Sequence, residues 1–238
     1  MSHYNPDVRH LEGPVAVVSL ACAALFLGVQ AGPVTPFSLA TKTLSVSTLA
    51  LIAWRSPAPL AGMMLAAPLL ASSAGDFFLE WDRHGWFVAG LGAFLVAHLL
   101  YIALFRRAWP RAPRPAERRG AARRARFGAT IVVLAAGIGL TAYLWPNLAD
   151  LRVPVTAYIA VLLAMAVAAL RAEVGNPWVA AGAVLFVASD SMIGLDTFRG
   201  PVAGSGAAIW IVYYLAQVAI TYGCLTARLE TAGPRPGA

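Results

Sequence analysis

The stretch LAGMMLAAPLLASSAGDFFLE, residues 60–80, decides the fold of this chain. A helix that crosses the hydrocarbon core of a bilayer needs roughly 17–25 mostly apolar residues, and this run meets that length. Within it the only ionisable side chain before the terminal glutamate is Asp76. The stretch therefore predicts a membrane-spanning helix that carries a carboxyl group inside the bilayer.

Similar apolar runs fill the rest of the chain, which is 59% hydrophobic and only 12% charged. Soluble domains are roughly 45–50% apolar and about 25% charged. Prolines, glycines and tryptophans mark the ends of the runs, as they do at membrane interfaces. We predict an all-α polytopic membrane protein, a bundle of eight transmembrane helices. The predicted spans are Val15–Ala31, Phe37–Trp54, Leu60–Glu80, Trp86–Phe105, Phe127–Trp145, Val153–Leu170, Trp178–Thr197 and Ala207–Ala227.

The positive charge of the chain, +7, is concentrated at one side of the predicted bundle. Nine of the eighteen basic residues lie in the segment 106–126, which we predict to be a basic loop. Counted by side, fourteen basic residues face three, so the orientation rule puts both termini in the cytoplasm. Residues 1–14 and 228–238 are then cytoplasmic tails around a membrane domain, 15–227. The expected location is a bacterial inner membrane, with lipids and not nucleic acid as partners, because no folded basic surface is available.

The two halves of the chain resemble each other weakly. SAGDFFL surrounds Asp76 in the third predicted span, and VASDSMI surrounds Asp190 in the seventh. One span later each half carries a further polar side chain, His98 in the first and Gln217 in the second. Because four helices per half restore the direction of the chain, this pattern predicts a parallel 4+4 repeat.

A few ionisable residues lie inside the predicted spans: Lys42, Asp76, His98 and Asp190. Each costs roughly 2.5–3.5 kcal/mol to insert at a helix centre, so such residues usually face the bundle interior and often mark function. Lys42 is the only lysine beside seventeen arginines. Their polar companions are Tyr101, Tyr158, Tyr214 and Gln217. Tyr213 and Tyr214 precede Gln217 by four and three residues, so at least one of them shares its face. The alternative for Lys42 is snorkelling to the interface, and for the companions it is hydrogen bonding that only holds helices together.

Helical rise places Lys42, Asp76, Asp190 and Tyr158 in one layer near the non-cytoplasmic side, with His98 and Gln217 deeper. Two carboxyl groups in a dry cavity suit acid–base work, in which one is protonated and the other ionised. Glu80 and Asp196 are expected to be solvated caps or rim residues at span ends. A metal held by Asp76, Asp190 and His98 is a weaker alternative, and we predict no cofactor.

Several short motifs, taken in order, resemble one known family. They are Lys42 early in span two, Gly75-Asp76, a Phe-x-x-x-His-x-x-Tyr pattern at Phe94, His98 and Tyr101, a tyrosine at Tyr158, LFVASDS at 185–191 with Ser189 and Asp190, and YYLAQ at 213–217. Over nearly the whole chain this combination resembles the YhhN-type lysoplasmalogenases.

The resemblance implies an ether-bond hydrolase that cleaves the vinyl ether of alkenyl lysophospholipids into a fatty aldehyde and glycerophospho-ethanolamine or -choline. It makes Asp76 and Asp190 the candidate catalytic residues. Our hypothesis is that Asp190 is the acid and that Lys42 keeps Asp76 ionised, although the two roles could be reversed. His98 and Tyr101 would orient water or lipid, and Tyr158, Ser189, Tyr214 and Gln217 would support the site.

Two other classes of function fit the same residues. Midplane acids in a parallel repeat also describe a proton-coupled transporter of a small or lipid-like solute. A lipid-binding scaffold without catalysis is the third reading. Aldehyde release in detergent separates the hydrolase from the transporter, since a transporter has no gradient there. The scaffold would tolerate the loss of both aspartates.

Overall fold

The structure is a computed structural model that describes residues 7–82, 85–107, 116–172 and 176–231. These residues form helices joined by short turns, and none of them lies in a β-strand. The helices are α1 Asp7–Val29, α2 Pro36–Trp54, α3 Pro59–Trp81, α4 Phe87–Arg107, α5 Ala116–Leu144, α6 Arg152–Arg171, α7 Trp178–Arg199 and α8 Ser205–Thr231. Two single 3-10 turns, Trp145–Asn147 and Ala149–Leu151, connect α5 to α6.

Each of the eight predicted spans coincides with one helix, so the all-α polytopic prediction is confirmed. Among the described residues, seven helical stretches are long and apolar enough to cross a membrane by length and composition. The apolar part of α1, Gly13–Val29, is shorter. The parallel 4+4 repeat stays a prediction.

The tails and the basic segment contain more helix than expected. Helix α1 starts at Asp7 within the predicted tail, and α8 continues to Thr231. The predicted loop 106–126 is helical from Ala116 onward because α5 extends beyond its apolar part. Residues 108–115 lie outside the described residues. Apolar length sets where a helix can span, but it does not set where the helix ends.

The start of α2 shows how local sequence fixes a helix end. Thr35 accepts a hydrogen bond from the Ser38 backbone N–H at 3.1 Å, and the Ser38 hydroxyl accepts one from the Thr35 N–H at 3.0 Å. This reciprocal pair satisfies two of the free donors at the helix start, and Pro36 supplies a preset φ at the first helical position. Because α2 begins at Pro36, Lys42 lies in the second turn of this helix.

The helices pack as a ring with one helix outside it. Following the chain, α1, α2, α3 and α4 pack each against the next, α4 packs against α6, and α6, α7 and α8 continue in order. Helix α8 closes the ring by contacting α1, α2 and α3. Helix α5 packs on α6 and α7. The ring therefore brings α3, α4, α7 and α8, which carry the four predicted polar positions, around one interior.

The two ends of the bundle differ in arginine content. Helices α1, α3, α5 and α7 all end at the same side of the bundle, which we name the arginine-poor end. The connections at this end are 30–35, 82–86, 145–151 and 200–204. Arg152 and Arg199 are the only arginines of this end that the structure describes. The arginines at the opposite, arginine-rich end whose side chains the structure describes are Arg55, Arg106, Arg124, Arg126 and Arg171. The asymmetry predicted from the sequence thus corresponds to two real faces of the bundle.

Helices α7 and α8 approach each other closely at Gly182. A Cβ atom there would lie 2.8 Å from the carbonyl oxygen of Ala216 and 2.9 Å from the backbone nitrogen of Ile220. Backbone cannot move aside as a flexible side chain does, so the absence of a side chain sets the helix separation. Small residues serve this role commonly between membrane helices.

We predict that Gly182→Val lowers the unfolding temperature in detergent, because the added methyl groups separate α7 from α8. Overpacking of this kind costs about 1–3 kcal/mol. Gly139→Val is the matched control, since a Cβ at Gly139 on α5 would meet nothing within 4 Å. Equal unfolding temperatures for the two variants would contradict the close approach.

Candidate active site

Asp76 lies inside the ring on α3 and is bound by a chain of hydrogen bonds from α8 and α4. The Tyr213 hydroxyl donates to Oδ2 of Asp76 at 2.7 Å. Gln217 Nε2 donates to the Tyr213 oxygen at 3.1 Å, and the Tyr101 hydroxyl donates to Gln217 Oε1 at 2.7 Å. All four side chains are buried. Every donor in this chain points toward Asp76, which therefore acts as a hydrogen-bond acceptor.

Asp190 lies on α7 and has a different set of partners. The Tyr158 hydroxyl, from α6, donates to Oδ2 of Asp190. His98 Nε2, from α4, lies 3.0 Å from the Tyr158 oxygen and 3.5 Å from the same carboxylate oxygen. With Tyr158 donating to Asp190, the His98 Nε2–H donates to Tyr158. His98 Nδ1 is buried and has no hydrogen-bond partner among the described residues.

Two phenylalanine rings separate the two carboxylate clusters, that of Asp76 with its hydrogen-bond chain and that of Asp190 with Tyr158 and His98. Phe94 lies 5.8 Å from the Tyr213 ring, and Phe186 lies 5.4 Å from Tyr213 and 4.9 Å from His98, measured between ring centroids. Phe94 fits because Gly75 has no side chain: a Cβ there would lie 2.6 Å from the Phe94 ring. The two carboxylates thus lie on opposite sides of an aromatic partition.

Lys42 does not contact Asp76 directly. Its ammonium lies 3.2 Å from Oε2 of Glu80, and the two side chains are 16% and 15% exposed. Glu80 thus lies at the end of its span as expected, and its carboxylate forms an ion pair that the sequence did not predict. The sequence could not identify this partner because Glu80 stands at a span end, where charged side chains are usually solvated.

Three other predicted residues lie away from the carboxylates. The Tyr214 hydroxyl is 2.8 Å from the Ser19 hydroxyl on α1, and the Ser189 hydroxyl donates to the carbonyl oxygen of Ile209 on α8. Asp196 was expected to be solvated; it is instead buried and accepts a hydrogen bond from the Ser205 hydroxyl at 2.5 Å. These contacts join neighbouring helices.

Tyr213 is the member of the site that sequence reasoning left undecided. It precedes Gln217 by four residues, and Tyr214 precedes it by three, so either tyrosine can share the face of Gln217. The spacing of Phe94 and His98 is also four and could have favoured Tyr213. Only the packing of α8 against α3 decides between them.

A cavity with about 710 Å³ of empty space, including its mouth, lies between α4, α5, α6 and α7. Its polar residues are Tyr158, Asp190 and Ser191, while Phe94 forms part of its wall. Asp76 is not among the lining residues, so the two carboxylates differ in access. The remaining lining residues are Leu79, Phe87, Leu91, Gly137, Leu140, Leu144, Val155, Ile159, Leu162, Leu163, Val187, Ile193, Gly194 and Phe198.

The donor set does not favour the metal alternative. Across the residues that the structure describes, no three His, Cys, Asp or Glu side chains are grouped as metal ligands would be. Asp76 and Asp190 instead accept hydrogen bonds from different tyrosines. The arrangement suits proton transfer at a cavity wall.

Fold and site together define a polytopic α-helical membrane protein with two buried carboxylates, one of which faces an apolar cavity. The sequence profile of the YhhN family matches residues 37–224. The chain belongs to the YhhN family.

Curated relatives of the chain carry a common name. A lysoplasmalogenase of Mycobacterium bovis is 41% identical over 162 residues, which are 67% of this chain and 59% of the relative. Human lysoplasmalogenase TMEM86B is 31% identical over 226 residues, 94% of this chain and 90% of the relative. Bovine lysoplasmalogenase TMEM86A is 36% identical over 171 residues, 67% of this chain and 64% of the relative. The chain spans about three fifths of the length of the mycobacterial relative. No solved structure matches the chain.

We predict that Tyr213→Phe destabilises the protein in detergent, because it removes the donor to Asp76 and the acceptor of Gln217. Leaving buried polar groups unpaired costs about 1–3 kcal/mol each. Tyr214→Phe is the matched control, since Ser19 keeps its hydrogen bond to the Ser45 carbonyl oxygen. Unfolding temperatures measured for both variants check this. A larger loss in Tyr214→Phe would contradict the assignment of Tyr213 to Asp76.

Proposed function

We propose that this chain is a lysoplasmalogenase, an intramembrane hydrolase of the vinyl-ether bond in alkenyl lysophospholipids. The products are a fatty aldehyde and a glycerophospho-ethanolamine or -choline. The observation that carries the proposal is that Asp190, with its partners Tyr158 and His98, lies where an apolar cavity meets the polar core. The names of the relatives support the same activity.

The first step requires a proton donor beside an apolar chain. Protonating the double-bond carbon that does not carry oxygen gives an oxocarbenium ion. Asp190 is our candidate for the acid because it is the carboxyl group on the cavity wall, where the alkenyl chain would lie. The Tyr158 hydroxyl, which accepts a hydrogen bond from His98 Nε2, donates to one carboxyl oxygen of Asp190, and the other oxygen is the candidate proton donor. A positioned acid of this kind contributes typically 10²–10⁴-fold.

The second step adds water to the oxocarbenium carbon. The water loses a proton to Asp76 as it adds, which gives a hemiacetal. When the hemiacetal collapses, its hydroxyl proton passes to Asp190 and the proton on Asp76 passes to the departing glycerol oxygen, so that the products are the aldehyde and the free glycerol hydroxyl. One water is consumed, Asp190 is again protonated and Asp76 is again ionised. No serine or cysteine nucleophile takes part, so two carboxyl groups are sufficient. We propose Asp76 as the ionised partner that stabilises the cation, because its neighbours all donate to it.

The cation must reach Asp76 across the aromatic partition. Phe94 forms the cavity wall and packs against Tyr213, the residue that holds Asp76. We infer that the vinyl ether binds beside Phe94, so that one carboxylate lies on each side of the reacting carbon. If Asp76 were the acid and Asp190 the ionised partner, the vinyl ether would still have to bind beside the Phe94 ring.

We also propose that the protein lies in a bacterial inner membrane with both termini in the cytoplasm. The basis is the concentration of arginine at one end of the bundle. The cavity is formed by the halves of α4–α7 nearer the arginine-poor end, which would be the non-cytoplasmic leaflet. Substrate would then come from that leaflet.

Asp76→Asn and Asp190→Asn are each expected to lower aldehyde release from an alkenyl lysophospholipid in detergent by at least about 100-fold. Each change removes a proton donor or a negative charge while retaining the shape of the side chain. The readout is aldehyde formation in purified protein of matched unfolding temperature.

The control for this experiment is Asp196→Asn, which changes a buried aspartate near the end of α7 away from both clusters. It is expected to retain activity. Retained turnover in Asp76→Asn or Asp190→Asn would remove the two-carboxylate mechanism. A wild-type protein that releases no aldehyde from any alkenyl lysolipid would favour the transporter reading, since a transporter does nothing in detergent without a gradient.

Leu140→Trp is expected to raise the KM for long-chain alkenyl substrates roughly tenfold, because the indole takes space that two methylene groups would fill. Short-chain substrates should be little affected. Ile138→Trp, on the exposed side of the same helix, is the matched control. The same rise for short and long chains would show that the alkenyl chain lies elsewhere.

A further inference from the structure

The Lys42–Glu80 ion pair lies near the arginine-poor end and is only partly buried. The ammonium and carboxylate are 3.2 Å apart, and each side chain keeps about one sixth of its surface exposed. Glu80 stands next to the last residue of α3, so the pair lies at the depth of the membrane interface. A molecule in the outer part of the bundle can therefore touch both charges.

Aromatic rings fix where the ammonium lies. The Lys42 nitrogen is 5.1 Å from the Phe26 ring centroid and 6.0 Å from that of Trp210, and both rings are buried. Trp210 is itself anchored by a hydrogen bond from Nε1 to the Ala23 carbonyl oxygen at 3.0 Å. A lysine held in this way is a preorganised point charge.

The ammonium retains capacity for a further acceptor. It has three N–H donors, and within the described part of the chain Glu80 is the one hydrogen-bond acceptor that it contacts. An ion pair whose only purpose is to neutralise two charges needs no spare donors. The remaining donors suit an anionic oxygen from a ligand.

The final part of α3 links this pair to the candidate active site. Asp76, Leu79 and Glu80 lie within five residues, and Leu79 lines the cavity. Asp76 and Glu80 are one turn apart, a rise of about 6 Å. Five single bonds, through the glycerol carbons, join the phosphorus of a lysophospholipid to its ether oxygen. A headgroup at the ion pair therefore leaves the ether oxygen within about one helical turn of that pair, toward the cavity wall.

We propose that Lys42 and Glu80 form the headgroup subsite for a zwitterionic phosphate–ammonium lysolipid. The inference rests on the proposed function. The phosphate binds Lys42, the headgroup ammonium binds Glu80, and the vinyl ether lies about one turn deeper, beside Phe94 at the cavity wall. The alkenyl chain then continues past Leu79 into the cavity.

Charge balance favours the binding of a zwitterionic headgroup at this ion pair in a membrane. The pair is neutral in sum, and so is the headgroup, so binding replaces one ion pair by two without leaving a charge unpaired. A headgroup that has phosphate but no ammonium would leave Glu80 unpaired beside a second anion, which is costly at low dielectric. The subsite therefore discriminates against anionic lysolipids.

The test compares two substrates that share one alkenyl chain, an alkenyl lysophosphoethanolamine and an alkenyl lysophosphatidate. The ratio of their kcat/KM values does not depend on the fraction of folded protein. Glu80→Gln is expected to lower the preference for the zwitterion about 10-fold or more. Lys42→Gln should raise KM for both substrates by about 10- to 100-fold, and Lys42→Arg should restore much of that loss.

Arg199→Gln is the matched control, because it removes a charge at the same end of the bundle where Arg199 stacks on Tyr143. It should leave the substrate ratio unchanged. An unaltered ratio in Glu80→Gln, or an equal change in Arg199→Gln, would overturn the subsite. Neither result would affect aldehyde release by the wild-type protein.

A binding measurement separates the subsite from the catalytic proposal. The probe is an alkyl lysophosphoethanolamine, which has no double bond and cannot be hydrolysed by this chemistry. It should raise the unfolding temperature of wild-type protein and raise it less in Lys42→Gln and Glu80→Gln. Equal rises in all three would refute the subsite. Absence of aldehyde release by wild-type protein would refute the hydrolase alone.

Discussion

The hydrogen bond from Tyr213 to Asp76 is the interaction on which the interior of this protein depends. A carboxyl group within a bilayer needs partners that water cannot supply, and here they come from two other helices. The chain through Gln217 to Tyr101 makes α3, α8 and α4 share one polar network. The ring of helices can close around these residues because each hydrogen-bond donor in the chain has an acceptor on the next side chain.

The second carboxylate is arranged differently, and the contrast is informative. Asp76 receives a full chain of donors behind an aromatic wall, whereas Asp190 has its partners on one oxygen and lies beside an apolar cavity. Two chemically identical groups thus have different access to a ligand. That difference is what an acid and a charge-stabilising partner require, and it arises from packing alone.

Much of the fold could be predicted from the sequence because apolar length is a direct physical requirement of the bilayer. The burial of Asp76, His98 and Asp190 followed from the cost of exposing them to lipid. Pairing was harder. Lys42 is bonded to Glu80, and Tyr213 was equivalent to Tyr214 by spacing, because contacts between helices depend on rotations that one sequence does not encode locally. The helical part of the basic segment was missed because arginine and alanine favour helices outside a membrane as well.

Phe94 has a consequence for how the two halves of the interior communicate. Its ring is at once a wall of the cavity and a packing neighbour of the tyrosine that holds Asp76. An occupant that displaces this ring must also disturb the setting of the hidden carboxylate. The same ring thus links the shape of the cavity to the position of the tyrosine that donates to Asp76.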